Sequence, residues 1–326
     1  MAKAKVFATH QLFDEARTLL EANCEVEYWF KPERPPREEV LQRVKDKEAL
    51  ICLLTEKVND ELLRAAPKLR IAANVAVGYD NIDVDACTKR GVVVTNTPGV
   101  LDETTADFAW TLMMAAARRI SEGEALARSG NWKGWNLDQL IGTDVWGKTL
   151  GIVGFGRIGR AMARRAAGFQ MKVIYTDAVR APEEAEKAVN AEFRDLNSLL
   201  ADSDFVSVHV PLLPETRGLF DGPKFHRMKP TAFLINTSRG PVVDEAALVF
   251  ALETKKIAGA ALDVYEQEPF IHPGLKRSNV VLAPHLASAS LETRSKMALI
   301  AATNVVTLFK GQMPPNMVNP GVLKQS

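Results

Sequence analysis

Three residues suited to acid–base and anion-binding chemistry each follow an apolar run in the second half of the chain: Arg239, Glu268 and His285. Ligands of open α/β sheets bind beyond the carboxyl ends of the strands, so we expect these side chains to share one crevice. A guanidinium can hold a substrate carboxylate, and a protonated imidazole can give its proton to a developing alkoxide. A carboxylate beside the imidazole orients the ring and favours its charged form. This set suits hydride transfer from a nicotinamide cofactor to a 2-keto acid.

Taken singly, each of the three residues also has an ordinary structural interpretation. Arg239 could be a surface ion-pair partner, Glu268 a loop residue before a proline, and His285 a structural histidine. Their occurrence after three successive predicted strands favours the catalytic interpretation.

A glycine-rich turn precedes these residues along the chain. Gly154-Phe155-Gly156-Arg157-Ile158-Gly159 has the spacing G-x-G-x-x-G, follows the apolar run 150–153 and opens an amphipathic stretch, Arg160–Ala167. Glycines at these positions allow a tight turn, close approach of a pyrophosphate and close packing of helix on strand. The helix N-terminus adds N–H donors for the phosphates. The sequence therefore predicts a dinucleotide site.

A carboxylate stands where the ribose of such a dinucleotide would lie. Asp177 ends the next predicted strand, 177 − 154 = 23 positions beyond Gly154. It can accept hydrogen bonds from the ribose hydroxyls and would repel a 2′-phosphate. We therefore favour NAD(H) as the cofactor, while the nearby Arg180 leaves NADP(H) possible.

Apolar runs and amphipathic stretches alternate along the chain, which is typical of doubly wound parallel α/β sheets, and they form two series. The predicted strands are 5–9, 26–29, 49–54, 70–75 and 92–95, then 149–154, 172–177, 204–210, 232–237, 259–264 and 279–283. One long helix is predicted from Leu101 to about Ala127, between the series. Another is predicted after Ser290, to about Lys310.

Composition agrees with two globular domains. The chain has 326 residues, 47% of them hydrophobic and 25% charged, values close to globular averages. The formal charge is +1, so nothing indicates a nucleic-acid partner. The longest apolar stretch has about ten residues, whereas a membrane span needs about twenty. We expect no membrane association.

The cysteines indicate a reducing compartment. Cys24, Cys52 and Cys87 are widely spaced, and no pair has the spacing of metal ligands or of a disulfide framework. Polar residues occur early in the N-terminal region, before any apolar targeting segment. We expect a cytoplasmic protein without a metal site.

Several of these segments together resemble the D-isomer-specific 2-hydroxyacid dehydrogenases over nearly the whole chain. They are the glycine turn and the segments 235–240, 262–264, 268–269 and 284–285. The segments 75–83, 95–98 and 104–107 resemble the glyoxylate/hydroxypyruvate reductase branch in particular. The resemblance implies reduction of glyoxylate to glycolate and of hydroxypyruvate to D-glycerate.

The resemblance also implies roles for individual residues. Arg239, Glu268 and His285 would be catalytic. The substrate would be bound by Leu54, Val77, Gly78, Arg239 and His285, with the amides of Val77 and Gly78 holding its carboxylate. Besides the glycine turn and Asp177, the implied cofactor-binding residues are Thr105, His209, Val210, Pro211, Thr216, Thr237, Ser238, Arg239, Asp263, His285 and Ala287, with Asp263 on the nicotinamide carboxamide.

The family implies a Rossmann dinucleotide-binding domain, residues 100–285, inserted into a flavodoxin-like substrate-binding domain formed by residues 1–99 and 286–326. The catalytic cleft is expected between them. A homodimer through the long helix and the Trp132–Trp146 region is also implied.

Departures from the family pattern bear on the alternatives. Phosphite dehydrogenases carry a lysine where Val77 stands, and phosphoglycerate would need cationic groups that are not obvious near Leu54. Ala287 stands where relatives usually have glycine, which changes the loop beside the nicotinamide. D-lactate and 2-ketogluconate remain open as substrates, and so does a non-catalytic protein that senses NAD.

Overall fold

The computed structural model describes residues 3–324. These residues form two compact units. The first unit runs to Leu101 and resumes at Ser290, and the second spans Asp102–Ala289.

The first unit is built on a sheet of five parallel strands in the order β2-β1-β3-β4-β5. Its strands are β1 (Ala4–Ala8), β2 (Cys24–Tyr28), β3 (Ala49–Cys52), β4 (Ile71–Asn74) and β5 (Val93–Thr95). Its helices are α1 (Asp14–Asn23), α2 (Arg37–Arg43), α3 (Asp60–Ala65), α4 (Val84–Lys89) and the C-terminal helix (Leu291–Phe309), with 3-10 turns at Val44–Asp46 and Pro320–Lys324.

Both faces of this sheet are covered, because alternate strand residues point to opposite sides. Val6 and Ile51 pack on the side of α1 and the C-terminal helix, whereas Phe7 and Leu50 pack on the side of α2, α3 and α4. The strands β3 and β4 are buried along their whole length. The strand order places the change of winding direction between β1 and β3.

The second unit has seven parallel strands in the order β12-β11-β10-β9-β6-β7-β8. Its strands are β6 (Thr149–Val153), β7 (Lys172–Thr176), β8 (Ala191–Phe193), β9 (Phe205–Val208), β10 (Phe233–Asn236), β11 (Gly259–Leu262) and β12 (Val280–Leu282). Its helices are α5 (Asp102–Ala117), α6 (Ile120–Arg128), α7 (Arg157–Ala166), α8 (Glu183–Lys187), α9 (Leu196–Asp202), α10 (Gly222–Arg227) and α11 (Glu245–Glu253), with 3-10 turns at Ala167–Phe169, Gly240–Val242 and Pro273–Leu275.

The predicted fold class is confirmed. The first sheet has a flavodoxin-like order and the second has the Rossmann order extended by one strand, with its change of direction between β6 and β9. Within residues 3–324, no helix has the length and apolar character needed to cross a bilayer.

The prediction of one continuous helix to about Ala127 is wrong, because the helix breaks into α5 and α6. Arg119 between them is left-handed, with φ 54° and ψ 38°. The carbonyl of Ala117 accepts from the N–H of Thr143, 2.8 Å away. Gly142 lies so close to that carbonyl that a Cβ there would collide with it. A returning segment that is distant in sequence thus ends α5, and the apolar pattern of the helix does not show it.

Candidate active site

The three glycines of the turn after β6 have three different environments. Gly154 has φ +96°, and a Cβ on it would lie 2.7 Å from the carbonyl carbon of His209. A Cβ on Gly159 would collide with the carbonyl oxygen of Gly154, whereas one on Gly156 would meet no described atom within 4 Å. The first glycine therefore makes the turn, the third lets α7 pack, and the second leaves backbone open on one side. Such an open cradle at a helix N-terminus fits a pyrophosphate.

The residues between these glycines are held by contacts with the rest of the second unit. Phe155 is buried and stacks on Tyr175, with ring centroids 3.9 Å apart. Arg157 begins α7 and pairs with Asp102 at 3.2 Å. Ile158 is half-buried in the first turn of α7.

Asp177, directly after β7, supports the glycine turn with its carboxylate. Oδ2 accepts from the N–H of Phe155 and Oδ1 from the N–H of Ala178, both at 2.7 Å. A carboxylate has about four lone-pair sites, so both oxygens can still accept from ribose hydroxyls. The sequence pointed to the ribose contact only. The hydrogen bond to the turn depends on tertiary structure.

His209 follows β9 and faces Gly154 across the point where the winding direction changes. Its N–H donates to the carbonyl of Val153 at 2.7 Å, and its Nε2 lies 2.8 Å from Ser207 Oγ. Burial lowers the pKa of His209 to about 4, so its ring is neutral at neutral pH. Beyond it, Thr216 Oγ1 donates to the carbonyl of Pro211 at 2.6 Å, and Val210 is half-buried.

The strand end after β10 carries a buried hydroxyl that fits a ligand contact. Thr237 is 8% exposed, and its Oγ1 has no hydrogen-bond partner among the residues described. The side chain of Asn236 organises this turn, since its Oδ1 accepts from the N–H of Ser238 at 3.0 Å and its Nδ2 donates to the carbonyl of Arg239 at 3.0 Å. Sequence reasoning did not single out Asn236. Thr105, another predicted cofactor residue, is buried in the first turn of α5.

Asp263, after β11, holds the backbone that carries His285. Its carboxylate accepts from the N–H groups of Leu286 at 2.7 Å and Ala287 at 2.8 Å, and its carbonyl accepts from the N–H of His285 at 2.9 Å. Burial raises the pKa of Asp263, and the two amide hydrogen bonds oppose that rise. His285 has φ 57°, a left-handed conformation that is uncommon for residues other than glycine. We infer that Asp263 stabilises this strained backbone.

The structure brings Glu268 and His285 into direct contact. Glu268 Oε2 lies 2.9 Å from His285 Nδ1, and Glu268 Oε1 accepts from the N–H of Tyr265 at 3.1 Å. Burial raises the pKa of Glu268, but the hydrogen bond and charge of His285, the Tyr265 amide and the charge of Arg239 outweigh it, so this pKa is lowered. The carboxylate is therefore ionised beside the imidazole, and His285 Nε2 is the ring nitrogen left to face a substrate.

Arg239 lies at the start of the 3-10 turn after β10 and is half-buried. One of its guanidinium nitrogens donates to the carbonyl of Ser238 at 2.9 Å. Its charge contributes, less than His285 does, to the lowered pKa of Glu268. The second unit thus places the guanidinium, the carboxylate and the imidazole within one charge cluster.

The remaining predicted substrate residues lie in the first unit. Val77 and Gly78 are half-buried in the loop after β4. Thr97 N–H donates to the carbonyl of Ala76 at 2.9 Å, and Asn96 Nδ2 donates to the carbonyl of Val77 at 2.8 Å. In a trans peptide the N–H points away from the carbonyl, so these bonds fix the directions of the Val77 and Gly78 N–H groups.

Two asparagines and a glutamate support this region, and sequence reasoning missed all three. Asn74 Nδ2 donates to the carbonyl of Gly78 at 2.9 Å, and Asn96 acts as described above. The buried Glu56 accepts from Leu53 N–H at 2.7 Å and from Thr9 Oγ1 at 2.9 Å. It thereby closes the loop that carries the half-buried Leu54. The available signal was a polar residue at the end of an apolar run or directly after it, as at Asn74 and Asn96.

Comparison with known proteins places these features in context. Residues 110–287 match the family model described as "D-isomer specific 2-hydroxyacid dehydrogenase, NAD binding domain". The chain is 51% identical over 329 residues to a glyoxylate reductase of Thermococcus litoralis, covering 99% of each chain. It is 53% identical over 326 residues to a glyoxylate reductase of Korarchaeum cryptofilum, covering 99% of this chain and 98% of that one.

Two solved structures of reductases are similar to this chain over nearly its whole length. An NADPH-dependent glyoxylate/hydroxypyruvate reductase from Sinorhizobium meliloti, in complex with NADP and malonate, is 32% identical with a TM-score of 0.86, covering 97% of each chain. A glyoxylate reductase from Paecilomyes thermophila is also 32% identical with a TM-score of 0.86, covering 100% of both chains.

Proposed function

The chain belongs to the D-isomer-specific 2-hydroxyacid dehydrogenase family, in its glyoxylate reductase branch, and we propose that it reduces glyoxylate to glycolate and hydroxypyruvate to D-glycerate. It is an NAD(P)-dependent oxidoreductase of small 2-keto acids. The predictions of family, enzyme class and cofactor class are confirmed, with NAD(H) supported and NADP(H) also possible. The other substrate specificities and the sensor interpretation are not favoured.

The observation that carries the proposal is the contact of 2.9 Å between His285 and Glu268, with Arg239 in the same charge cluster. His285 donates a proton to the oxygen of the keto group as it becomes an alkoxide. Glu268 orients the ring through Nδ1 and stabilises its charged form. Arg239 binds the substrate carboxylate and polarises the keto oxygen. When bound, NADH supplies the hydride.

We assign the dinucleotide to residues 100–285, which would form the cofactor-binding domain. The glycine turn would hold the pyrophosphate, Asp177 the ribose, and Thr237 and Asp263 the nicotinamide end. Residues 1–99 and 286–326 would form the substrate-binding domain. There the N–H groups of Val77 and Gly78 would bind the substrate carboxylate, and Leu54 would contact the substrate.

We also propose a cytoplasmic homodimer. Trp132, Trp135 and Trp146 are more than half exposed, and clustered exposed apolar side chains mark interaction surfaces. Cys24 and Cys87 are buried and free, as expected in a reducing compartment. Light scattering of the purified chain should give twice the monomer mass, and a Trp135→Glu variant should give a larger monomer fraction.

The test of function is a His285→Ala variant assayed by NADH oxidation against a panel of 2-keto acids. A positioned acid–base group contributes about 10²–10⁴-fold to rate, so turnover of glyoxylate should fall by that factor while NADH binding stays intact. His226→Ala is the matched control, because His226 is an exposed histidine on α10. Unchanged turnover in His285→Ala would refute the assignment of the acid. A wild-type chain that binds NADH without turning over any 2-keto acid would instead support a sensor.

A further inference from the structure

An ion pair between an exposed arginine and a buried glutamate lies in the segment that follows Asp177. Arg180 Nε donates to Glu186 Oε1 and a terminal nitrogen of Arg180 donates to Oε2, both at 2.9 Å. Glu186 Oε1 also accepts from the hydroxyl of Tyr175 at 2.5 Å. Glu186 is 7% exposed, whereas the side chain of Arg180 is 65% exposed. The carboxylate is therefore the fixed partner and the guanidinium lies on top of it.

The position of Arg180 matters because a cation near the ribose is what a 2′-phosphate requires. Arg180 is three residues beyond Asp177, at most about 11 Å of backbone, which a long arginine side chain can span. One edge of its guanidinium, formed by Nε and one terminal nitrogen, is however occupied by both oxygens of Glu186. Its charge is neutralised there, and it also lies over the ring of Phe193, 5.9 Å from the centroid.

Releasing Arg180 from this pair would be costly. The carboxylate of Glu186 is held by the fully buried Tyr175, so it cannot follow the arginine. Without Arg180, the buried carboxylate of Glu186 would lose two charged hydrogen bonds, which is unfavourable. A 2′-phosphate would have to compete with this bidentate pair and would also face the negative charge of Asp177.

We propose that Glu186 withholds the Arg180 guanidinium from the ribose end of the dinucleotide, and that this pair makes the site select a dinucleotide without a 2′-phosphate. The inference rests on the proposed function, because it assumes that the ribose lies at Asp177. It identifies Glu186, which touches no cofactor, as a specificity-determining residue that acts through Arg180.

The test compares binding of 5′-AMP and 2′,5′-ADP to the purified full-length chain by calorimetry. The two ligands differ only in the 2′-phosphate. In Glu186→Gln the affinity for 2′,5′-ADP relative to 5′-AMP should rise about tenfold, as one added charged hydrogen bond would produce. The double variant Glu186→Gln/Arg180→Ala should lose that gain. Glu184→Gln, which removes an exposed carboxylate of the same short helix, should keep the wild-type ratio.

Two outcomes would overturn the proposal. One is an unchanged ratio in Glu186→Gln, and the other is a gain that persists without Arg180. The single variant Arg180→Ala decides the matter even if Glu186→Gln does not fold. Its ratio should stay within twofold of wild type if the arginine is withheld, and should fall about tenfold if the arginine already binds the phosphate.

The same titrations separate this inference from the proposed function. If wild-type chain does not bind 5′-AMP, the cofactor site itself is misplaced. If 5′-AMP binds and the ratios do not respond to Glu186, only the role of the ion pair fails. The ratio of kcat/KM for NADPH and NADH, measured with glyoxylate, should change in the same direction as the binding ratio.

Discussion

Replacing Glu268 by glutamine should lower the rate of reduction without abolishing it. The amide oxygen of glutamine can still accept from His285 Nδ1, so the ring orientation is kept and only the negative charge is lost. Reduction needs the charged imidazole as proton donor. With the carboxylate gone, that charge loses the partner 2.9 Å away, and kcat/KM for glyoxylate should fall.

The structure sets the size of this loss. For unit charges 2.9 Å apart, Coulomb's law at an effective dielectric constant of about 20 gives about 6 kcal/mol. The two side chains are 26% and 32% exposed, so solvent screening reduces this value toward the roughly 1.5–3 kcal/mol of a charged hydrogen bond. At about 1.4 kcal/mol for each factor of ten in rate, kcat/KM should fall about 10–100-fold.

The assay is the initial rate of NADH oxidation over a range of glyoxylate concentrations, which gives kcat/KM. Glu266→Gln is the matched control, since Glu266 accepts from the N–H of Glu245 at 3.0 Å. A kcat/KM of Glu268→Gln equal to that of wild type would refute the argument that this carboxylate stabilises the charged imidazole.

Three further predictions follow from other contacts of the second unit. Gly159→Ala should weaken NADH binding more than tenfold and lower Tm, because the added Cβ collides with the Gly154 carbonyl. In Gly156→Ala the added Cβ meets no described atom within 4 Å, so this variant should weaken binding with Tm unchanged. Asp263→Ala should lower kcat at least tenfold with glyoxylate, because the N–H groups of Leu286 and Ala287, directly after His285, lose their acceptor. Unaltered kcat would show that the loop keeps its conformation without this carboxylate. The pKa of His209 is about 4 in the folded state and about 6.5 in the unfolded state. Between these pH values the unfolded state binds more protons. The free energy of unfolding should therefore fall by about 3 kcal/mol as the pH drops through this range. His209→Gln should remove that part of the pH dependence in chemical denaturation.

Local patterns were sufficient for the fold class and for the glycine turn after β6. The roles of Gly154, Gly156 and Gly159 depend on backbone geometry within a few residues, so their spacing after an apolar strand already carries the information. Alternating strands and helices force parallel sheets, and parallel sheets gather their carboxyl ends at one edge. This reasoning singled out Glu268 and His285, which the structure then places in contact.

Local sequence patterns did not predict contacts between residues that are distant in sequence. The break of the helix at Arg119 depends on Gly142, and the direction of the Val77 and Gly78 N–H groups depends on Asn96 and Thr97. Neither dependence produces a periodic sequence pattern, because hydrogen bonds between distant segments have no fixed spacing along the chain.

The sequence alone therefore determined the family and the fold class, and it predicted the chemistry: a turn for a dinucleotide, a carboxylate for its ribose, and three polar groups after successive strands. The tertiary structure decided how those groups are held. Asp263 secures the left-handed backbone of His285, and Glu186 occupies the guanidinium of Arg180, which the sequence had left available for a 2′-phosphate. The physical reason is that the charge and direction of a polar group depend on its partners, and only the folded chain selects them.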